Sequence, residues 1–354
     1  MGTPVSASER PTVSVIVPAR NEQASLGACL ESLVSQVGIG FEVIVVDDGS
    51  TDATRAIAQS FPVVTVVEPA PLPTGWSGKN NAVTAGAIKA RGEWLLFTDA
   101  DTVHRPGSLA RAVTEANANH ADLLSYSPEQ EVHGFWERAI MPVIFAELAT
   151  TYPPSEVSDP GSSTAAANGQ YLLITRQAYD AVGGHAAVAG DLLEDVALAR
   201  LVKQSGRKLV FRYGSDAVRT RMYRNFGQLR EGWTKNLAIL FPSPAWLALR
   251  RFLEFAVLTA SLAVFIFSIS TGHSRYAVPC LLAPVVTLRR ITRAHFAWSA
   301  NVLAVLGLPL FSYLLLRSKL SHTNGTVNWK GRAYSARDYA TGSVSQRGAV
   351  TGRS

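Results

Sequence analysis

A mainly parallel α/β sheet followed by an apolar helical region is the architecture that this 354-residue chain predicts. Three observations point to it. Short β-branched runs alternate with helical spacing over residues 13–67, an apolar strand over 93–101 runs into two carboxylates, and composition turns strongly apolar after Pro244. A chain of this length accommodates one ordinary domain, here 13–240, and a substantial second region.

Residues 13–17 (Val-Ser-Val-Ile-Val) read as a strand. Leu26, Leu30, Leu33, Val34 and Val37 then recur at helical spacing, and 42–47 is a second strand. Thr51 and Asp52 can cap the next helix, and 63–67 is a third strand. Strand, helix, strand in repetition builds a parallel sheet, whose ligands gather outside the carboxyl ends of the strands. The loops after the strands are therefore expected to carry the chemistry. Along 93–101, alternation sends Asp99 and Asp101 to one side, where both can converge on a hard divalent cation.

Residues 135–152 mix Trp136, Ile140, Met141, Val143, Ile144, Phe145 and Leu148 with Glu137, Arg138 and Glu147. Such a segment fits a helix packed on the sheet or one lying in a membrane interface, and a second interfacial helix is expected near 223–241. Residues 252–270 carry Glu254 as their only charge and are long enough to span a bilayer, and 296–316 is a similar run. Between them 276–288 is shorter and holds Pro279 and Pro284, which suits a bent or re-entrant segment. The expectation is a region of two to three membrane segments over 245–316, in a multi-pass protein of the cell membrane. Arg289, Arg290 and Arg293 mark one end as cytoplasmic, but Arg317 and Lys319 mark another.

Formal net charge is +6, yet residues 1–245 carry 20 Lys/Arg against 25 Asp/Glu, so the positive excess lies beyond them. A basic tail is expected over 317–354, including Lys330, Arg332, Arg337, Arg347 and Arg353 against Asp338. This distribution suits an anionic membrane surface and excludes nucleic acid as the expected partner. Cys29 and Cys280, the only cysteines, make no disulfide framework, which suits a reducing cytosolic face. Residues 1–12 are expected to be disordered, with no apolar core for a secretory signal.

Acidic positions follow the strand ends: Glu22, Asp47 with Asp48, Asp99 with Asp101, and Glu194 with Asp195. Each alone has a plainer explanation, since Asp48-Gly49-Ser50 is good turn chemistry and Asp52 is a helix cap. Together on one sheet edge they make a site. Release of a nucleoside diphosphate needs a cation bridging its phosphates, and Asp99 with Asp101 supplies metal ligands. Glu194 and Asp195 stand at the start of a helix, where carboxylates are stabilised and where one can take a proton from an attacking hydroxyl. His104, His120, His133, His185 and His322 lack metal-ligand spacing and read as surface or loop residues, with His185 near the acceptor loop. Arg219, Arg221 and Arg224 suit a lipid phosphate or carboxylate, or simply a solvated basic face.

The set Val17-Pro18-Ala19-Arg20-Asn21-Glu22, Val46-Asp47-Asp48-Gly49-Ser50-Thr51-Asp52, Asp99-Ala100-Asp101 and Glu194-Asp195 resembles the motifs of family 2 glycosyltransferases. The resemblance implies a GT-A (Rossmann-like) fold, a nucleotide-sugar donor, Mg2+ or Mn2+, and inversion at the anomeric carbon. It implies that Pro18, Ala19, Glu22, Asp47 and Asp48 face the nucleoside, that Asp99 and Asp101 face ribose, diphosphate and metal, and that Asp195 is the base beside Glu194. A narrower resemblance lies in Leu72-Pro73-Thr74-Gly75-Trp76-Ser77-Gly78-Lys79-Asn80-Asn81-Ala82, in Ala167-Asn168-Gly169-Gln170-Tyr171 and in Trp329-Lys330-Gly331-Arg332-Ala333-Tyr334. These look like the membrane-bound enzymes of hopanoid and carotenoid pathways, including the diaponeurosporenoate glycosyltransferases. Lys79 is then a contact for the donor phosphates, and Gly169 and Gln170 lie on the acceptor side.

Cellulose-synthase-like members carry Gln-x-x-Arg-Trp, whereas this chain has Gln228-Leu229-Arg230-Glu231-Gly232-Trp233. Arg230 and Trp233 can still share a helix face towards an acceptor. The displacement favours one sugar moved from a donor such as a UDP-sugar to a lipid or terpenoid acceptor, over polymer synthesis. Transfer to a polyprenyl phosphate and an inactive scaffold that keeps the fold are the alternatives. The catalytic domain is expected on the cytoplasmic face.

Overall fold

The computed structural model describes residues 10–272, 277–325, 327–329 and 332–334. Expectations for the chain before Arg10, for Tyr276, and for Lys330, Gly331 and the tail beyond Tyr334 lie outside the described residues.

In chain order, β1 (Val13–Ala19), α1 (Leu26–Val34), β2 (Phe41–Asp47), α2 (Thr54–Gln59), β3 (Val64–Val67), α3 (Gly78–Lys89) and β4 (Trp94–Phe97) follow the predicted alternation. Then come β5 (Thr102–His104), α4 (Ser108–Ala118), β6 (Leu123–Ser127), β7 (Glu129–Gln130), α5 (Phe135–Thr151) and α6 (Pro154–Ser158). β8 (Leu172–Thr175), α7 (Arg176–Ala181), α8 (Glu194–Gln204), β9 (Leu209–Tyr213) and β10 (Val218–Thr220) precede a helical region. That region holds α9 (Phe226–Leu240), α10 (Pro244–Ser270), α11 (Ala277–Cys280), α12 (Leu282–Ile291), α13 (Trp298–Leu303) and α14 (Leu308–Thr323). A short pair, β11 (Val327–Trp329) and β12 (Arg332–Tyr334), follows. The described residues form two compact units, 10–131 with 154–221 and 132–153 with 222–334.

In the first unit a seven-stranded sheet runs β3-β2-β1-β4-β8-β6-β9. Its pairs are parallel except where β8 lies antiparallel between β4 and β6. β1, β2 and β4 are apolar almost throughout because helices cover both faces of a parallel sheet. α3 settles against β1 and β2 at Gly86, where an added Cβ would stand 2.5 Å from Ile16 Cγ2 and 3.0 Å from Val46 Cγ2. The reversal of β8 has a positional effect. Leu172 pairs with Phe97, so the residues entering β8 arrive at the edge where β4 leaves the sheet.

The expected strand through Asp101 is shorter. β4 ends at Phe97, and Asp99 and Asp101 occupy the turn before β5, held by Thr102, whose N–H and hydroxyl both donate to the Asp99 carbonyl. Strand alternation therefore does not set their directions; the turn does.

In the second unit α5, α9, α10, α12 and α14 share an apolar core that includes Ile140, Ile144, Leu229, Trp233, Leu237, Leu258, Ile291, Phe311 and Leu315. Residues 135–152 are thus a helix with a buried middle, exposing Phe135 and Trp136 at its start. Trp233 is buried while Arg230 is exposed, so the two do not share one environment on α9. Among the described residues, two helical runs are long and apolar enough to cross a membrane: Pro244–Ser270, with 11% of its apolar stretch buried, and Trp298–Thr323, with 50% of its stretch buried. The expected boundary at 316 moves, because α14 continues through Arg317 and Lys319 to Thr323. The expected short segment resolves into α11 and α12, with Pro284 in the first turn of α12, where its missing N–H costs nothing.

Inside this unit Glu147 of α5 binds Arg251 of α10, at 3.0 Å, and Arg290 of α12. Glu254 binds both arginines and accepts the Thr287 hydroxyl at 2.6 Å. Glu147 and Arg251 are about 95% buried. Charges so placed are costly unless every partner is present. Glu147→Ala is expected to destabilise the protein by about 3–5 kcal/mol, the range for one partner removed from a buried pair, read as a lowered unfolding midpoint in detergent.

Candidate active site

Lys79 is the hub. It sits in the first turn of α3, which Ser77 caps by accepting the Asn80 N–H at 3.1 Å. A cation at a helix N-terminus opposes the macrodipole, and two acids offset this. Lys79 Nζ lies 2.7 Å from Asp99 Oδ1 and 2.8 Å from Glu194 Oε1. Burial works against its charge, but Asp99, Glu194 and Asp195 outweigh that and hold its pKa well above the usual lysine value.

Asp195 stands beside Glu194 at the start of α8, with both oxygens engaged by the backbone. The Gly169 N–H donates to Oδ2 and the Val196 N–H to Oδ1, each at 2.8 Å. Burial, then the charge of Glu194, pushes the Asp195 carboxyl up to about 6, against the pull of Lys79 and the two amides. Gly169 is the residue delivered by the reversed strand β8. A Cβ there would lie 3.1 Å from Lys79 Nζ and 3.4 Å from Asp195 Oδ2, so the acids and the lysine close over a bare backbone. Pro18, Val83, Phe97, Thr98, Leu172 and His185 complete the walls of this pocket.

The loops after β1 and β2 are laced together. Arg20 Nη1 donates to the Asp48 carbonyl at 2.8 Å, the Asn21 side chain accepts the Thr51 N–H at 2.8 Å, and the Glu22 N–H donates to Thr54 Oγ1 at 2.7 Å. Asn21 reaches a φ of 54° to do so, in the left-handed region that asparagine tolerates. Asp47 is 4% exposed and accepts the Ser50 N–H, so its visible task is the turn. Glu22 accepts the Ser25 hydroxyl, and Ala19 is buried with its carbonyl taken by the Asp48 N–H. Gln170 is also buried: its carbonyl accepts the Thr98 hydroxyl and its amide donates to Thr220 Oγ1. The structure thus brings Lys79, Asp99, Glu194, Asp195 and Gly169 together in the first unit, while Arg230 and Trp233 belong to the second.

Two histidines correct the expectation of surface or loop positions. His104 is buried against the hydroxyls of Thr98 and Thr102, and His185 is buried with Nδ1 on the Tyr179 hydroxyl. Burial pushes them down to about 3 and about 4, so both are neutral.

Asn80 has a role that its motif did not reveal. Its side-chain amide donates to the carbonyls of Val188, Ala189 and Asp191 at 2.8, 2.9 and 3.1 Å, tying the segment before α8 to α3. A buried asparagine one residue from the charged lysine was the clue. Among the described residues no group of three or more His, Cys, Asp or Glu is placed to hold a metal. Asp99 and Asp101 offer two hard carboxylates, a donor set that fits a cation completing its shell with diphosphate and water.

The raised proton affinity of Asp195 has a sign. Between 3.8 and about 6 the folded chain holds a proton that the unfolded chain has shed, so stability falls as pH rises through that window. In chemical denaturation at several pH values, the balance should move in favour of Asp195→Asn over the native chain as pH climbs across it, and then level off. A flat difference would reject the raised pKa.

The family model for glycosyl transferase family 2 matches residues 14–173, which include Asp47, Asp48, Asp99 and Asp101, and ends before α8. Relatives extend the likeness along the chain. A 4,4'-diaponeurosporenoate glycosyltransferase from Staphylococcus aureus (strain MRSA252) is 29% identical over 348 residues, covering 91% of this chain and 88% of the relative. The protein of the same description from strain USA300 is 28% identical over 345 residues with the same coverage. A mannosyltransferase from Pyrobaculum calidifontis, solved with GDP-Man and Mn2+, superposes at a TM-score of 0.49 and 18% identity, over 89% of this chain and 87% of that one. Its acids and lysine thus gather at the edge of a mainly parallel sheet, in a chain that matches the glycosyl transferase family 2 model over residues 14–173 and is similar along most of its length to these glycosyltransferases.

Proposed function

We propose that the enzyme moves one sugar, with inversion, from a nucleotide-sugar donor such as a UDP-sugar to a hydroxyl of a membrane-embedded terpenoid. The observation that carries this is the single ammonium of Lys79 joining Asp99, on the donor side, to Glu194 beside the base Asp195. The reading of the acceptor as a membrane terpenoid draws on the relatives' name, 4,4'-diaponeurosporenoate glycosyltransferase, and on the exposed apolar length of α10, and its reading as a hydroxyl draws on the base Asp195.

Asp99 and Asp101 would hold a Mg2+ or Mn2+ ion, which when bound neutralises charge on the diphosphate. The remaining work falls to the chain. The laced loops bearing Glu22 and Asp48 border the nucleoside, and Lys79 faces the oxygens of the leaving diphosphate. The acceptor oxygen bonds to the anomeric carbon as the bond from that carbon to the diphosphate oxygen breaks, its electron pair leaving with the nucleoside diphosphate. The hydroxyl proton passes to Asp195, whose orientation the amides of Gly169 and Val196 fix.

A base with a pKa near 6 is mostly ready at cytosolic pH, and a carboxylate acceptor would not need it. Turnover on an alcohol acceptor should rise with pH through about 6 and then flatten. Asp195→Asn should lower it by about 10²–10⁴-fold, followed by mass spectrometry of hexose-bearing lipids. Full turnover by the variant on an acid acceptor alone would assign a carboxylate acceptor, and product confined to polyprenyl phosphates would replace the terpenoid. Asp99→Asn should abolish divalent-dependent donor binding in calorimetry; unchanged binding would remove the metal from this site.

A further inference from the structure

The two apolar helical runs are alike in length and composition, but the second unit treats them differently. We infer that the membrane element is one helical hairpin, α10 with α11 and α12, which enters and returns on the same face, and that α14 stays on the aqueous side. This rests on the membrane reading above and gives it a topology.

Beyond Arg251, α10 is almost bare. Phe252, Leu253, Val257, Leu262, Ile266 and Phe267 are all more than half exposed. From Arg251 to Ser270 the helix rises roughly 28 Å, which matches a hydrocarbon core of about 30 Å. α11 and α12 pack back along it and add Leu282 and Val286 to the same apolar surface. The hairpin closes at its base, where the Thr287 hydroxyl and Arg290 meet Glu254. Both strands of the hairpin therefore end at one level. Arg250, Arg289 and Arg293 are exposed at that level and suit anionic headgroups, and Trp246, 65% exposed, lies about one turn to the aqueous side, where interfacial tryptophans sit. The bilayer is the occupant that this length, charge collar and aromatic position fit.

α14 is pinned elsewhere. The Ser312 hydroxyl donates at 2.8 Å to the carbonyl of Ala248, which precedes Arg251 on α10. Ser318 bonds the Thr234 carbonyl at 2.6 Å and accepts the Ala238 N–H at 2.8 Å, and His322 bonds the Lys235 carbonyl at 2.8 Å. These partners lie on α9, which exposes Arg230 and Glu231. Placing α14 across the hydrocarbon would drag those charges with it, where charged side chains are strongly disfavoured.

Cys280 is a native reporter within the hairpin, seven residues before Thr287 at its base, while Cys29 is buried and pushed up to about 12, hence unreactive. The full-length protein, labelled at Cys280 with bimane and reconstituted into phosphatidylcholine/phosphatidylglycerol vesicles, should be quenched several-fold more by deep acyl-chain doxyl lipid than by aqueous iodide. Labels at Tyr313→Cys or Leu320→Cys, each in a Cys280→Ser chain, should show the reverse order; both positions are exposed on α14, so one remains readable if the other misfolds. Deep quenching at either α14 site matching that at Cys280 would overturn the inference. Iodide quenching at Cys280 in protein that floats with the vesicles would do the same. Protein that does not float would instead overturn the membrane reading, and the hairpin with it.

Discussion

The ammonium of Lys79 is the interaction on which the site depends. Asp99, Glu194 and Asp195 converge at one sheet edge, and like charges there would push the loops apart without a cation between them. The fold goes to some length to keep it there. Gly86 lets α3 lie close on the sheet, Ser77 caps its first turn, and Gly169 leaves room for the lysine beside Asp195. A helix terminus that repels cations is thereby made to present one.

Much of the sheet was legible because its physics is local. β1, β2 and β3 are β-branched runs separated by helical spacing, and their order follows from short right-handed connections. β8 was not legible, since the reversal of a single strand leaves no periodic mark and depends on which edge is open when the chain returns. Asp99 and Asp101 were found for a partly mistaken reason. The sequence places them just past β4, but the turn built by Thr102 aims them, not the pleat of a strand. His104 and His185 were misread because only the fold decides which groups meet and which are buried, even for partners six residues away such as Thr98 and Tyr179. Asn80 was overlooked for the same reason: its three acceptors lie more than a hundred residues away.

The helical region teaches a different lesson. Length and composition single out two comparable apolar runs, and only packing separates them, because a core helix and a membrane helix are built from the same residues. Glu147, Arg251, Glu254 and Arg290 sharpen the separation. Four charges balanced within one buried cluster fix where α10 stops belonging to the protein's own core and starts facing outward.

The bond set of Asn80 has one more implication. The amide that follows Lys79 by one residue also suspends the segment leading into Glu194 and Asp195. Lys79 and the pair Glu194 and Asp195 thus hang from a single helical turn and share one mechanical reference, so thermal drift of α3 moves them together and preserves their spacing. For anyone redesigning such an enzyme, the first turn of α3 is the datum to leave alone, and the loops after β1 and β2, braced mainly on each other, are the freer place for change.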